Sequence, residues 1–231
     1  MKVEIMSENY NYQHFTPQSY NFMHQSGLQP GDKLPDITLL NTSADPVKLK
    51  SLLGKTLVLE TGSATCPLYV GKIKSMNAVA AKHKDVNFAV LYIREAHPGS
   101  KISAHSTSEA KMKAAQLLQM AEPENRVILV DTLTGNLHEK LGLLPNMAYV
   151  ISEDGTVLYR ADWNIPDRID AVLQTVKSGA PIPNEPANFT PVPMKYSLRV
   201  LYRAGGMKAV LDFLVHLPQL IAQHISSLKS Q

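Results

Sequence analysis

The sequence has little cysteine, no long apolar run and no concentrated charge. Its 231 residues include one cysteine, Cys66. A single cysteine forms no intramolecular disulfide, which excludes a disulfide-stapled secreted scaffold and indicates a reducing compartment. No run approaches the roughly 18 consecutive apolar residues that cross a bilayer, so we expect no transmembrane segment. We therefore expect a cytoplasmic protein, and peripheral membrane contact stays open.

Net charge and histidine spacing argue against nucleic-acid binding and against metal binding. The net charge is +3, and the basic residues are dispersed, so nucleic acid is a poor candidate partner. The first thirty residues lack the apolar centre of a signal peptide, and we expect the mature chain to begin at Met1. No histidine pair shows metal-ligand spacing together with a cysteine or carboxylate, so we expect no metal site. His83 and His138 are expected at the surface.

Composition divides the chain into four segments. They are a polar tail (1–30), a folded domain (31–178), a proline-rich linker (179–194) and a helical extension (195–231) interrupted at Gly205 and Gly206. The extension carries Leu211, Leu214, Val215 and Leu217 beside basic residues, a pattern that suits membrane-surface contact, a dimer arm or packing on the domain. We favour packing within the chain or in a homodimer.

Within the domain, apolar patterning predicts an α/β fold. Strands at 56–60 and 86–93 flank an amphipathic helix at 67–83, which makes a βαβ unit with parallel strands. A strand at 36–40 and a short helical turn at 47–54 precede this unit. The elements predicted after it are a helix (109–120), a strand (126–130), a hairpin (148–151 and 156–160) and a helix (165–176). This order resembles the thioredoxin-like fold, a central mixed sheet flanked by helices.

Cys66 lies in the turn TGSATCP, between a buried strand and a helix. A helix N-terminus favours an anion and is one setting that lowers the pKa of a thiol. Ser63 and Thr65 can donate hydrogen bonds to the sulfur or cap the helix. A lone cysteine is often simply a small buried apolar residue, but this position favours a redox role. Tyr69 stands where a dithiol motif has its second cysteine, so an external thiol would have to complete a catalytic cycle.

Two motifs resemble the iodothyronine deiodinase family. GSATCP matches that family's active-site turn, in which selenocysteine occupies the place of Cys66. YIREAHP, from Tyr92 to Pro98, matches the strand-end motif that follows some twenty-five residues later. The resemblance extends over about 53–176. It implies a thiol oxidoreductase without a bound cofactor. Such an enzyme removes iodide reductively from iodinated phenols such as thyroid hormones, and it is regenerated by an external thiol or a thioredoxin-type reductase.

The resemblance also implies roles for individual residues. Cys66 becomes the nucleophile and His97 the histidine that contacts substrate. The proton-relay and hydrogen-bonding residues beside the reactive atom are then His105, Glu95, Tyr92, Ser63 and Thr65. A histidine is a suitable proton donor because its charge changes near neutral pH.

The sequence also departs from the family at three positions. A thiol is less acidic and less nucleophilic than a selenol, so Cys66 implies slow deiodination. Arg94 replaces the first acid of the family's acidic pair. Met147 falls about where the family has an arginine that contacts the hormone.

Two other functions remain open from the residues alone. Ser63 and Cys66 are spaced as in the Ser/Thr-x-x-Cys turn of peroxiredoxins, which suits a one-cysteine thiol peroxidase, although Leu59 replaces that family's upstream proline. A non-enzymatic thioredoxin-fold binding protein is the third candidate.

Overall fold

The computed structural model describes residues 10–16, 19, 26–182 and 190–229, without the side chains of 224–229. The strands are β1 (Thr38–Asn41), β2 (Pro46–Lys48), β3 (Leu57–Gly62), β4 (Asn87–Tyr92), β5 (Val127–Val130), β6 (Ala148–Ile151) and β7 (Val157–Ala161). The helices are α1 (Pro67–Lys82), α2 (Ser108–Ala121), α3 (Asn136–Leu141), α4 (Pro166–Ser178) and α5 (Met194–Lys229). A 3₁₀ turn, Leu49–Leu52, follows β2.

The strands form one mixed sheet in the order β2-β1-β5-β4-β3-β6-β7. β3 pairs in parallel with β4, and β4 in parallel with β5, while the other pairs are antiparallel. This sheet confirms the predicted α/β, thioredoxin-like class. Gly62 and Tyr92 are paired residues at the carboxyl ends of β3 and β4, so the loops that follow these two strands lie side by side.

Most predicted elements match the structure within two residues, because their hydrophobic periods are strong. One difference is at 47–54, where we predicted a helical turn. Pro46–Lys48 instead forms an edge strand against β1, and the turn is confined to Leu49–Leu52. The six-residue helix Asn136–Leu141 was not predicted, since it is too short to show a period.

The predicted tail and extension both contribute residues to the packed structure. In the tail, Tyr10 is buried, and its hydroxyl lies 2.9 Å from Nδ1 of His138. In the extension, Val200, Leu201 and Ala204 are buried against the domain. α5 is interrupted at Gly205 and Gly206, where the backbone is not helical. No helix among the described residues is long and apolar enough to cross a membrane.

Candidate active site

Cys66 is the residue that caps the N-terminus of α1, and its backbone is extended (φ −92°, ψ 107°). Pro67 follows as the first helical residue, where its missing N–H costs nothing. The turn before it begins at Gly62, and a side chain there would come within 2.5 Å of the Tyr69 ring. A glycine at the end of β3 therefore lets α1 fold back closely over the sheet.

The sulfur is covered in this structure, which corrects one expectation from the sequence. Cys66 is 1% exposed, and burial raises the pKa of its thiol to about 11. The amides of Tyr69 and Leu68 favour the thiolate, as a helix N-terminus should, and the charge of Lys72 acts in the same direction. Desolvation outweighs these effects, so the predicted lowering of the pKa is wrong for this closed arrangement.

The C-terminal helix packs against the turn that holds Cys66. Val200 belongs to the same buried apolar cluster as Ala64, Cys66 and Tyr69. Arg203 donates to the main-chain oxygen of Ala64 at 2.8 Å and to Glu122 at 2.6 Å. A residue 139 positions further along the chain is thus bonded directly to the cysteine turn. Its role could not be read from the local sequence.

Glu95 is the centre of a buried hydrogen-bonded set beside the cysteine. Its Oε2 accepts from the main-chain N–H of Thr65 at 3.0 Å and from the Thr65 hydroxyl at 2.6 Å. Its Oε1 accepts from the hydroxyl of Tyr92 and lies 3.0 Å from Nε2 of His105. Burial alone would raise the pKa of Glu95, but His105, Thr65 and Tyr92 together lower it. The carboxylate is therefore ionised and fully engaged.

Two further hydrogen bonds tie the parallel-strand loops together. The main-chain N–H of Ala64 donates to the Tyr92 hydroxyl at 3.3 Å, and that of Ala96 donates to the Ser63 hydroxyl at 3.2 Å. Burial raises the pKa of Tyr92 well above its ordinary value, and the nearby Glu95 charge adds to this. The structure thus brings Ser63, Thr65, Tyr92, Glu95 and His105 together in the shell around Cys66. His105 is buried there, although its serine-rich loop suggested a surface position.

His97 occupies a different place from the other predicted site residues. Its main-chain N–H donates to the Thr65 hydroxyl at 3.1 Å, directly beside the cysteine. Its ring packs against Phe15, with centroids 4.2 Å apart, and against Phe213, with centroids 5.5 Å apart. Burial lowers the pKa of His97 to about 3, so this imidazole is neutral at physiological pH.

A pocket opens beside the His97 ring. Its volume is about 450 Å³, within the range of small-molecule sites. Its walls come from the segment 13–16, the loop 97–103 and the C-terminal helix. The lining includes His97 but not Cys66, so the sulfur is not exposed to the pocket in this structure.

A second buried polar network lies around the start of α1, and sequence reasoning missed it. Lys72 donates to the main-chain oxygen of Asn164 at 2.6 Å, and the side chains of Asn146 and Asn164 donate to Glu60 at 2.7 and 2.5 Å. Arg126 pairs with Glu60 and Glu124. Burial lowers the pKa of Lys72 to about 8, against the charges of Glu60 and Cys66. The network fixes the position of β3 and α1, and Lys72 adds positive charge near the thiol.

The departures noted in the sequence also have clear positions. Met147 is fully buried in the core, so it contacts no ligand. Arg94 is 7% exposed and donates to the main-chain oxygens of Tyr10 and Ser19, which ties the N-terminal segment to the domain. His83 and His138 are buried rather than solvated. Among the described residues, no group of three histidine, cysteine, aspartate or glutamate side chains could hold a metal ion.

Comparison with known proteins identifies similar sequences for most of the domain. The family model of iodothyronine deiodinase matches residues 14–169. Thyroxine 5-deiodinase of Ovis aries is 31% identical over 116 residues, which cover 46% of this chain and 39% of that protein. The same-named protein of Homo sapiens is 30% identical over 116 residues, covering 46% and 38%. This chain thus aligns with less than half the length of either relative.

Solved structures support the fold. A crystal structure from Chlorobium tepidum, described as a thiol:disulfide interchange protein DsbE, superposes with a TM-score of 0.52 at 20% identity. It covers 66% of this chain and 98% of the other. At this identity the likeness concerns the fold alone.

Proposed function

Since this chain belongs to the iodothyronine deiodinase family, we propose that it is a thiol-dependent dehalogenase that removes iodide reductively from iodinated phenols, with Cys66 as the nucleophile. One observation supports this above the others. The side chains of Ser63, Thr65, Tyr92, Glu95 and His105 converge on the turn that holds the lone cysteine at a helix N-terminus. The relatives named thyroxine 5-deiodinase make iodothyronines the first substrates to test.

The proposed reaction has two stages. In the first, the Cys66 thiolate attacks the iodine of the aryl iodide, the carbon–iodine bond breaks, and the aromatic carbon takes up a proton. This leaves the dehalogenated phenol and a sulfenyl iodide on Cys66. In the second, an external thiol attacks that sulfur and expels iodide, and a second thiol molecule reduces the resulting mixed disulfide to free Cys66. One aryl iodide and two thiols therefore give one arene, one iodide, one proton and one disulfide.

The buried set around Glu95 suits the proton transfers in the first stage. Glu95 is held as a carboxylate, so it can accept hydrogen bonds from Thr65 and Tyr92 and stabilise a positive charge on His105. A histidine is the residue type that exchanges protons most readily near neutral pH. We assign His105 as the proton donor to the aromatic carbon, and Thr65 and Tyr92 as positioning residues. Ser63 positions the main chain at Ala96.

The burial of Cys66 limits its reactivity in this structure. A covered thiol with a pKa of about 11 is almost wholly protonated at neutral pH, and it reaches no substrate. Turnover therefore requires a state in which the segment 194–204, the first half of the C-terminal helix, moves away from the cysteine turn. In that state desolvation decreases, whereas the amides of Tyr69 and Leu68 and the charge of Lys72 remain to favour the thiolate. A reducing, cytoplasmic location would supply the external thiol.

Iodide release tests the proposal. Wild-type protein is incubated with dithiothreitol and either thyroxine or 3-iodo-L-tyrosine, and iodide is measured over time. The matched variants are Cys66→Ser, which removes the nucleophile, and Ser106→Ala, which changes an exposed serine in the neighbouring loop. We expect thiol-dependent release from wild type and Ser106→Ala and none from Cys66→Ser. Equal release from all three would overturn the assignment of Cys66.

A parallel assay with hydrogen peroxide distinguishes the proposed dehalogenase from a thiol peroxidase. The same proteins are given hydrogen peroxide, and peroxide loss is followed together with trapping of a Cys66 sulfenic acid. Rapid Cys66-dependent peroxide consumption without iodide release would replace the proposed function with a thiol peroxidase. Inactivity in both arms would favour a binding protein.

A further inference from the structure

The pocket beside His97 has a wall that the family match does not include. Phe213, Lys208 and Asp212 line it from the second half of the C-terminal helix, whereas the family model ends at residue 169. Phe15 also lines the pocket, from the N-terminal segment. The pocket is therefore built by both ends of the chain on either side of the loop that carries His97.

The apolar part of the pocket suits an aromatic ring. His97 contacts Phe15 in a tilted arrangement and Phe213 edge to face, with an interplanar angle of 82°. Aromatic rings favour such tilted and edge contacts with one another. Burial keeps His97 neutral, so its ring adds a polar edge without a charge. A phenolic ring entering here meets aromatic surface and an imidazole that can bond its hydroxyl.

The charged part of the pocket suits a zwitterion. Lys208 and Asp212 are both exposed and stand four residues apart on one helix, which places them on the same face. They form no ion pair with each other or with any other described residue. A purely anionic ligand would be repelled by Asp212, and a purely cationic one by Lys208. An α-amino acid carries both charges and satisfies both side chains.

The burial of Met147 leaves these two residues as the charged pair at the pocket. Met147 lies in the core with no exposed surface, so it supplies no charge or contact at the pocket. Lys208 provides a cation from the C-terminal helix and lines the same pocket as His97. Two other histidines, His14 and His216, also line the pocket. The main-chain oxygen of Asp212 lies 2.8 Å from Nδ1 of His216.

We infer that the second half of the C-terminal helix is the specificity wall of the substrate pocket, where Phe213 packs on an aromatic ring while Lys208 and Asp212 bind the carboxylate and ammonium groups of a halogenated aromatic α-amino acid. This inference rests on the proposed function for the halogen and on the pocket for the rest. The charged groups are solvent-accessible, so each contact is worth a modest amount, about threefold to tenfold in affinity.

Three ligands that share the 4-hydroxy-3-iodophenyl ring test this inference. They are 3-iodo-L-tyrosine, 3-iodotyramine, which lacks the carboxylate, and 3-(4-hydroxy-3-iodophenyl)propanoate, which lacks the ammonium. Affinities are measured by calorimetry at pH 7.5 and 0.15 M salt in the full-length Cys66→Ser protein, so that no chemistry occurs during titration. The variants added to this background are Lys208→Gln, Asp212→Asn and Phe213→Leu. Lys74→Gln, an exposed lysine of α1 away from the pocket, is the matched control.

The inference predicts a specific pattern of losses. Lys208→Gln weakens iodotyrosine and the propanoate about threefold to tenfold and leaves iodotyramine unchanged or tighter. Asp212→Asn weakens iodotyrosine and iodotyramine and spares the propanoate. Phe213→Leu weakens all three ligands, and Lys74→Gln weakens none. Equal binding of the three ligands by the background protein, or equal losses in Lys208→Gln and Lys74→Gln, would overturn the assignment.

The binding data also separate this inference from the proposed function. If the pattern appears but wild type releases no iodide, the pocket stands and the dehalogenase proposal fails. If Cys66-dependent iodide release is found but the pattern is absent, the dehalogenase stands and the specificity wall is wrong. Failure to detect binding of any of the three ligands at millimolar concentration would overturn the inference as well.

Discussion

The guanidinium of Arg203 donates to the main-chain oxygen of Ala64 at 2.8 Å, which fastens the C-terminal helix to the turn that holds Cys66. The same side chain reaches Glu122, which also pairs with Arg199. Access to the sulfur therefore depends on whether the segment 194–204 stays docked. Ala204 strengthens the docking, because its main-chain oxygen accepts from the N–H groups of Lys101 and Ile102 at 2.8 and 3.0 Å.

Loosening this attachment should expose the thiol. Arg203→Met removes the bond to Ala64 and one bond to Glu122, so we expect Cys66 to be alkylated by iodoacetamide about tenfold faster at pH 8, since bonds to charged groups contribute about 1.5–3 kcal/mol. Arg199→Met is the matched control. Its side chain is 50% exposed, pairs with Glu122 and lies over the Tyr196 ring, without a bond to the cysteine turn, so the alkylation rate should change less than threefold. Equal acceleration in the two variants would show that Arg203 does not hold the cover.

The pH dependence of Cys66 follows from its covered state. With a pKa of about 11, the alkylation rate should rise about tenfold per unit between pH 8 and 10 and continue to rise towards 11. A thiol at its ordinary value of 9.0 would level off near pH 9. A plateau at that pH, in protein that remains folded, would contradict the buried geometry.

The raised pKa of Cys66 should also make the free energy of unfolding depend on pH. The folded pKa lies above the unfolded one, so the protonated thiol stabilises the fold fully below about pH 9, and this contribution disappears as pH rises towards 11. From pH 8 to 10.5 the free energy of unfolding of wild type should fall by about 2 kcal/mol more than that of Cys66→Ser. Urea unfolding at both values measures the difference, and the serine variant subtracts the effects of other titrating groups. Parallel losses in the two proteins would contradict the prediction.

Substitutions of two buried histidines, His105 and His138, should distinguish a loss of catalysis from a loss of stability. His105 lies 3.0 Å from Glu95 at the cysteine turn, whereas His138 contacts Tyr10 and the main-chain oxygen of Leu144 away from it. We expect His105→Gln to lower iodide release about a hundredfold or more, the usual contribution of a general acid. His138→Gln should lower the free energy of unfolding by about 1–2 kcal/mol and leave turnover per folded molecule unchanged. The proton-donor assignment is wrong if the two variants turn over equally.

The local pattern predicted the parts of the site that depend on neighbouring residues in the sequence. The two strands, before Cys66 and ending at Tyr92, show as continuous apolar runs, and the helix after Pro67 shows helical spacing. Parallel pairing of the strands then brings Ser63 and Glu95 to the same edge of the sheet. The family resemblance assigned the roles, and the family match confirms that resemblance.

The local pattern could not predict what covers the site. A helix N-terminus lowers the pKa of a thiol, but Cys66 lies in a buried apolar cluster that includes Val200, a residue more than 130 positions away in the sequence. The burial of His105, in a loop, and of His138, in the short helix α3, has the same cause, because a polar residue becomes buried only when distant segments pack over it. The sequence pattern favours packing by Leu211, Leu214 and Val215, but these side chains are exposed in the structure. Val200, Leu201 and Ala204 are buried in their place.

The break in the C-terminal helix gives a last prediction. Gly206 has φ 67° and ψ −154°, a conformation that is essentially restricted to glycine and costs other residues about 1–3 kcal/mol. A side chain at Gly206 would meet nothing within 4 Å, so Gly206→Ala acts through backbone strain alone. Relief of that strain should reorient the two halves of the helix. We expect a loss of about 2 kcal/mol in unfolding free energy together with faster alkylation of Cys66.

Gly179→Ala is the control for this effect, since Gly179 also has a positive φ, of 69°, and no neighbour within 4 Å, but it ends α4. We expect this variant to lose about 1 kcal/mol without any change in the alkylation rate, because α4 does not carry the residues that cover the sulfur. If both variants alkylate at the wild-type rate, the break at Gly206 does not control access to Cys66. The expected result, faster alkylation in Gly206→Ala alone, would show that the break in the C-terminal helix controls access to Cys66.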